Sequence, residues 1–308
     1  MADSLASSKV FPRGGRYALV SPSLPDRILH RVCKPLRSLF LLHDDPVLRE
    51  RIRRIAPARY EVGCLRSWDE LRTRIRGAQA HALFLVDPYH GRGRLPGSAP
   101  ELIQLLRDFP STTVVVAMAP RPGWLQDVLT LGERGVTEVI DLGSELSTEA
   151  VRQRLDRARG RPLRTLLQRG VEVSVPGRGR AILDTAVEVA SCGGGVHTLA
   201  RALGLSGPTL LRWCARSGLP NPRRLMIWLR VLSAAELLDD PGRSVLDIAF
   251  SCGYSSDRAL RRALLCTVGI GPAELRRRGA FRTAAGRFLA MLRQVRRRSP
   301  APALARVG

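Results

Sequence analysis

The sequence predicts two folded parts of different class: a doubly wound α/β domain with a five-strand parallel sheet, then an all-helical domain built on a tandem helix-turn-helix. Three observations predict this. Between residues 37 and 158 short runs rich in Val, Ile, Leu and Phe alternate with amphipathic segments of helical period, and parallel strands need such helical crossovers. From residue 181 the strand signal disappears and helical periodicity alone remains, broken by Gly and Pro. Within that region one pattern occurs twice: Leu199-Ala200 matches Ile248-Ala249, Gly204 matches Gly253 and Ser206 matches Ser255, each 49 residues apart (248 − 199 = 49).

Residues 1–36 mix Ser, Pro, Gly and basic residues without a sustained period and read as a disordered leader. The alternation starts at Arg37. SLFLLHDD (38–45) reads as a buried strand ending in two carboxylates and PVLRERIRRI as a helix that Asp45 can cap, with Pro46 at its first position. YEVGCL, HALFLVDPY, STTVVVAMAP and TEVIDL supply four more strands. WDELRTRIRG, ELIQLLRDF, GWLQDVLTLGERG and TEAVRQRLDRARG supply the helices between and after them. In such folds functional groups gather at the carboxyl ends of the strands, here Asp44, Asp45 and Asp87.

Residues 159–180, framed by Gly, Pro and Arg, read as a linker. AILDTAVEVAS (181–191) is then a helix, and VHTLARALGLSGPTLLRWCARSGL carries the first copy of the repeated pattern. NPRRLMIWLRVLSAAELLDDPG is a long helix opened by Asn221-Pro222, stopped by Asp240-Pro241-Gly242, and striped by Leu225, Leu229, Leu232, Ala235 and Leu238. In the second copy Ser244 and Asp247 form a capping box, Gly253 ends the short helix, and Ser255 or Ser256 opens the next. Residues 279–308 form a basic tail in which Phe288, Leu289 and Leu292 give a short amphipathic helix packed back on the domain.

The formal net charge is +23. It is concentrated: residues 181–308 hold 20 Arg and 8 acids (20 − 8 = +12), whereas residues 37–158 hold 18 Arg and 16 acids (18 − 16 = +2). A basic helical half beside a nearly neutral domain is the footprint of nucleic-acid binding. Apolar runs long enough to span a bilayer are missing, and the N-terminal residues lack the apolar core of a secretory signal, so a cytoplasmic protein is expected. Six cysteines without C-x-x-C or histidine spacing read as reduced small hydrophobes, each in a core position, and no metal or cofactor is expected. Neither a Gly-rich phosphate loop, nor G-x-S-x-G, nor a convergent Cys/His pair points to an enzyme.

Ile248, Ala249, Gly253, Tyr254, Ser256, Leu260, Arg262, Gly269, Pro272 and Arg276 fall in one ungapped register, which resembles the second helix-turn-helix of AraC-type transcription regulators. Leu264, Leu265 and Cys266 stand where that family has Phe and a Lys pair. The resemblance covers about residues 181–278 and implies a regulator of double-stranded DNA with two recognition helices in successive major grooves, contacting the transcription machinery. Asp257, Arg258, Arg261 and Arg262 in the second copy, with Thr209 and Arg212 in the first, are the expected base contacts: Arg can bond bidentately to guanine, and Asp can accept from cytosine. Ser206, Arg223, Arg224, Ser255, Arg276 and Arg277 are the expected phosphate contacts.

The α/β part is similar to response-regulator receiver domains. That resemblance implies homodimerisation through the domain, and a phospho-acceptor or Mg²⁺ site at Asp44, Asp45 and Asp87. It departs at Ala117-Met118-Ala119 and Ile140-Asp141-Leu142, where receivers carry a hydroxyl residue and a Lys, so the domain reads as a degenerate receiver. A phospho-accepting regulator acting through Asp87 is the alternative reading.

Overall fold

The β-rich and helical parts appear in the computed structural model in the expected order. It describes residues 37–158 and 177–298, apart from 80, 94–96, 137, 145, 146 and 192. The expected leader and most of the expected linker lie outside the described residues.

Strands β1 (Arg37–Leu42), β2 (Tyr60–Cys64), β3 (Leu83–Val86), β4 (Thr113–Met118) and β5 (Glu138–Asp141) form one sheet in the order β2-β1-β3-β4-β5. All four pairings are parallel, with Leu39 opposite both Val62 and Leu83, and Val115 opposite Glu138. Successive residues of a strand point to opposite faces, so each central strand feeds two cores. Leu39, Leu41, Leu83, Leu85, Val115 and Ala117 pack with Leu48 and Ile52 of α1 (Pro46–Ile55) and with Val151 and Leu155 of α5 (Thr148–Arg157). Leu42, Phe84, Val86, Val114, Val116 and Met118 pack instead against α2 (Trp68–Gly77), α3 (Pro100–Asp108) and α4 (Trp124–Glu133) through Leu71, Ile75, Leu102, Leu105 and Leu131. Both faces are covered, which is why the strand sequences read as continuous apolar runs.

The helical part comprises α6 (Gly177–Ser191), α7 (Val196–Ala202), α8 (Gly207–Arg216), α9 (Pro222–Leu238), α10 (Val245–Ser251), α11 (Asp257–Val268), α12 (Pro272–Arg278) and α13 (Ala280–Arg298). The helix expected from Ala181 starts four residues earlier, and the expected short tail helix extends to Arg298 with Phe288 and Leu292 buried. Helices α7–α8 and α10–α11 are the two helix-turn-helix units. One core holds both, since Leu199, Leu210 and Cys214 of the first pack in the same cluster as Ile248, Leu260 and Leu264 of the second, around α9. Burial of α9 exceeds the stripe read from its sequence: Met226, Trp228, Val231, Ala234 and Leu237 are buried as well. A helix surrounded by α6, α10, α11 and α13 cannot keep a solvent face along its length. Fully burying such a Leu or Val contributes about 1.5–3 kcal/mol.

Each unit turns at a glycine with positive φ, Gly204 at 64° and Gly253 at 75°, where a Cβ would be strained. The second helix of each is then capped by a serine hydroxyl, Ser206 accepting from the Thr209 amide and Ser256 from the Ala259 amide. The cap equivalent to Ser206 is thus Ser256, not Ser255, and the second turn is one residue longer than the first. The Ser244–Asp247 capping box forms as expected.

The Asp240-Pro241-Gly242 stop does more than end α9. The Asp240 carboxylate accepts from the Ser111 amide at 2.7 Å, the Ser111 hydroxyl at 2.5 Å and Arg243 Nε at 3.0 Å. Arg243 also donates to the Arg76 carbonyl at 3.0 Å, and the Gly242 amide donates to the Asp108 carbonyl at 3.0 Å. The Asp240 and Arg243 side chains are 0% and 2% exposed. These bonds fasten the α9–α10 turn to the C-terminal ends of α2 and α3, at the amino edge of the sheet. On its other side the turn is held by Asp239, which accepts from the Ala280 and Phe281 amides at the start of α13, and by Arg276, which donates to the Leu238 and Arg243 carbonyls.

The cysteine expectation holds in part. Cys214 and Cys252 are buried, their thiols pushed up by burial to about 11 and about 12, and they stay protonated. Cys64, the last residue of β2, and Cys266, on the outer face of α11, are exposed free thiols. Cys33 and Cys192 lie outside the described residues.

Removing one partner of a buried ion pair strands the other charge in a low-dielectric site. Arg243→Met is therefore expected to destabilise the protein by about 3–5 kcal/mol, read as a lowered urea midpoint.

Candidate nucleic-acid interface

Helix α11 buries Leu260, Leu264 and Val268 and turns its opposite face outward. Arg258, Arg261, Arg262 and Leu265 are exposed on that face. Two of the expected base contacts hold each other, since Arg261 Nε lies 3.3 Å from Asp257 Oδ2 in an exposed i, i+4 pair. Among the described residues Arg258 and Arg262 make no side-chain hydrogen bond or ion pair, so their guanidinium donors are uncommitted there. Arg262 stands on the rim of a groove of about 480 Å³ between α9 and α11, shared with Arg224, Arg230, Trp228 and Tyr254. Leu264 is fully buried in the core, while Leu265, 53% exposed, and Cys266 put apolar surface on the outer side of the helix.

In the first unit α8 presents Arg212 and Leu211, the latter 51% exposed. The Thr209 hydroxyl lies 2.8 Å from Ser206 Oγ and accepts from Arg212 at 3.3 Å. Both groups expected to read bases here are therefore turned toward each other. The two units differ in kind: α11 offers free cations, α8 a satisfied polar cluster flanked by Pro208 and Leu211.

The flanking phosphate contacts also separate. Arg223 and Arg224 are exposed at the start of α9 and have no side-chain partner among the described residues. Ser255 is exposed beside the Ser256 cap. Arg277 is exposed but paired with Glu274, whose carboxyl is held below its usual range first by its hydrogen bond with Arg278. Arg276 is corrected from a phosphate contact to a brace, because its guanidinium is spent on the Leu238 and Arg243 carbonyls inside the fold.

At the carboxyl edge of the sheet the three acids do not act together. Asp45 caps α1, accepting from the Val47 and Leu48 amides at 2.7 and 3.3 Å. Asp44 pairs with Arg49 at 3.0 Å and faces His90 at 3.4 Å. Asp87 accepts from the Tyr89 amide at 2.9 Å. Among the described residues no group of three His, Cys, Asp or Glu side chains is arranged to hold a metal ion, so the expected Mg²⁺ site is not assembled.

Two other side chains tie this edge together, and sequence reasoning missed both. His43 is buried between β1 and β4, its Nε2 3.1 Å from the Ala117 carbonyl and its Nδ1 accepting the Asp45 amide at 3.1 Å. That pair of bonds fixes the neutral tautomer with the proton on Nε2. The Tyr89 hydroxyl donates to Asp127 at 2.9 Å beneath the Arg121 guanidinium, joining β3 to α4. Burial first, then Asp127, pushes Tyr89 up to about 12. The signal in the sequence was adjacency, since both flank the acids in the motifs H-D-D and D-P-Y.

The comparisons with known proteins bear on this arrangement. A family described as "Helix-turn-helix domain" matches residues 199–278. No curated protein matches this sequence. The chain is similar to full-length FixJ from B. japonicum at 11% identity, covering 74% of this chain and 96% of that one, with a TM-score of 0.35. It is also similar to the RcsB response regulator of Salmonella typhimurium at 17% identity, covering 63% and 98%, with a TM-score of 0.31.

These findings correct the AraC-type expectation. The matching family is described only as a helix-turn-helix domain, over residues 199–278. The physical reason lies in what carried the resemblance. Gly253, Ser256, Leu260 and Gly269 turn, cap, pack and end a helix, and any helix-turn-helix of this shape needs them. The more distinctive Phe and Lys positions are the ones that differ. The chain joins a receiver-like α/β domain to a helix-turn-helix region.

Burial holds the His43 imidazole below its ordinary value near 6.5, against the opposing pull of Asp87, the Ala117 carbonyl, Asp45 and Asp44. The fold favours neutral His43, so this contribution is complete above pH 6.5 and is lost as pH falls from 6.5 through the lower folded value. Thermal melts across pH 5–8 are expected to show this acid-side loss in the native protein and a flatter profile in His43→Gln.

Proposed function

We propose that the protein is a sequence-specific regulator of transcription that binds double-stranded DNA with α11 in a major groove. The observation that carries this reading is the pair of uncommitted guanidiniums, Arg258 and Arg262, on the outer face of a capped second helix within a matched helix-turn-helix domain. The +12 excess of residues 181–308 supports it independently. Arg258 and Arg262 are the principal base contacts. Asp257 and Arg261 join them once DNA competes for their ion pair, which is cheap because exposed pairs of this kind contribute only about 0.3–0.5 kcal/mol.

Helix α8 enters a second, successive groove. Helix α9 has 17 residues, about 26 Å at 1.5 Å per residue, which suits two recognition helices about one DNA turn apart. Arg212 and Thr209 serve there for positioning more than for reading. Ser206, Arg223, Arg224, Ser255 and Arg277 meet phosphates. The protein acts in the cytoplasm by binding rather than by catalysis, in reach of the transcription machinery, with the α/β domain providing a homodimer contact; none of the described helices is long and apolar enough to cross a membrane.

The alternative, a phospho-acceptor at Asp87, has less to support it. Its neighbours Asp44 and Asp45 are engaged by Arg49 and by the α1 amides, and the ends of β4 and β5 bring Ala117 and Asp141 where a hydroxyl and a Lys would be needed. A beryllofluoride titration in Mg²⁺ is expected to leave the protein unchanged, and a saturable response would restore this reading.

Sites selected from random duplexes with the native protein test the main proposal. Arg258→Ala and Arg262→Ala are each expected to cost about 1–3 kcal/mol at particular base positions. Arg223→Ala is expected to weaken all sequences alike and to lower the salt dependence by about one unit. Unchanged affinity and preference in both α11 variants would exclude the assigned reading helix.

A further inference from the structure

The turn between α9 and α10 is built unlike an ordinary helix connection. It contributes a buried carboxylate, a buried guanidinium and a backbone amide to partners that all lie in the α/β domain: Ser111, the Arg76 carbonyl and the Asp108 carbonyl. Its fit is close. A Cβ on Gly242 would come within 2.6 Å of the Phe109 ring and 3.1 Å of the Asp108 carbonyl, and the Arg243 guanidinium lies 5.9 Å from the centre of that ring. Ser244, the next residue after Arg243, is the cap of α10, so the contact leads directly into the second helix-turn-helix unit. No equivalent fastening ties α7–α8 to the sheet among the bonds of the described residues.

We propose that Ser111, Asp240, Gly242 and Arg243 are positioning residues that couple the packing of the α/β domain to DNA binding by α11. Displacement of the α3–β4 loop around Ser111 moves the start of α10, and α10 carries α11 with it. Coupling between two sites is reciprocal, so operator bound to α11 in turn stabilises the loop. The contact lies at the amino edge of the sheet, opposite the carboxyl edge that holds Asp44, Asp45 and Asp87. The proposal rests on the DNA-binding reading for its second half only, because the mechanical coupling can be measured without DNA.

The test uses three variants of the full chain. Gly242→Leu wedges the contact open against Phe109 without stranding a charge. Ser111→Ala removes one hydroxyl donor, and Ser111→Thr keeps it. By calorimetry the native protein is expected to melt in one transition, Gly242→Leu in two, and Ser111→Ala in a broadened one that Ser111→Thr sharpens again. On a selected operator duplex, Gly242→Leu is expected to bind at least five-fold more weakly, with Ser111→Thr closer to native than Ser111→Ala. A single unshifted melt for Gly242→Leu overturns the mechanical coupling, and a split melt with unchanged operator affinity overturns its link to DNA. Should Gly242→Leu fail to fold, the serine pair decides: equal melts and affinities for Ala and Thr overturn the proposal. Failure of the native protein to select any duplex removes the DNA reading but leaves the melting result standing.

Discussion

The structure depends on the buried pair of Asp240 and Arg243. Charges taken out of water are tolerated only where their remaining bonding capacity is filled, and here the carboxylate meets an amide, a hydroxyl and a guanidinium while the guanidinium also reaches a backbone carbonyl. Desolvation still raises the Asp240 carboxyl above its usual value, against the stabilising bonds from Ser111 and Arg243. An apolar replacement of similar volume could hold two surfaces together, but it would not fix their register. Directional bonds from the turn between α9 and α10 to three separate points of the α/β domain do fix it.

From that turn the helical part is organised outward along α9. Both helix-turn-helix units share its core, so α8 and α11 are presented by one rigid support, yet they are chemically unequal. On α11 the polar groups face out and two are unspent. On α8 the comparable groups satisfy one another, and Pro208 and Leu211 occupy the remaining surface. In the α/β domain His43 and Tyr89 bond neighbouring elements at the carboxyl edge of the sheet, and the amino edge carries the fastening to the α9–α10 turn.

Much of this was legible in the residues. The five strands, their helical crossovers and the two repeated units follow from periodicity and punctuation, because burying one face or two leaves a regular imprint. The caps at Asp45, Asn221 and Ser244 were legible too, being local chemistry between residues close in sequence. The equivalence of Ser206 with Ser255 was misplaced by one residue because a single extra turn residue leaves no compositional trace. Arg276 was misjudged for a different reason. An arginine at a helix end looks the same whether its donors meet phosphate or carbonyls that the chain brings in from 33 and 38 residues away. The family resemblance misled because framework residues answer to the geometry of the turn and not to a lineage.

The sequence by itself determined the class of each part, the order of elements, the basic bias of the helical half and the position of its two helix-turn-helix units, since each is set by neighbours within one or two turns of chain. Only the tertiary structure decided which arginines are spent inside the fold, that Asp44, Asp45 and Asp87 take separate hydrogen-bond partners, and that the end of α9 is fastened to the α/β part. Those outcomes depend on pairs such as Ser111 and Asp240, 129 residues apart, where either side chain alone carries no sign of the other. A hydrogen bond or an ion pair is defined by distance in space, and separation along the chain does not encode it.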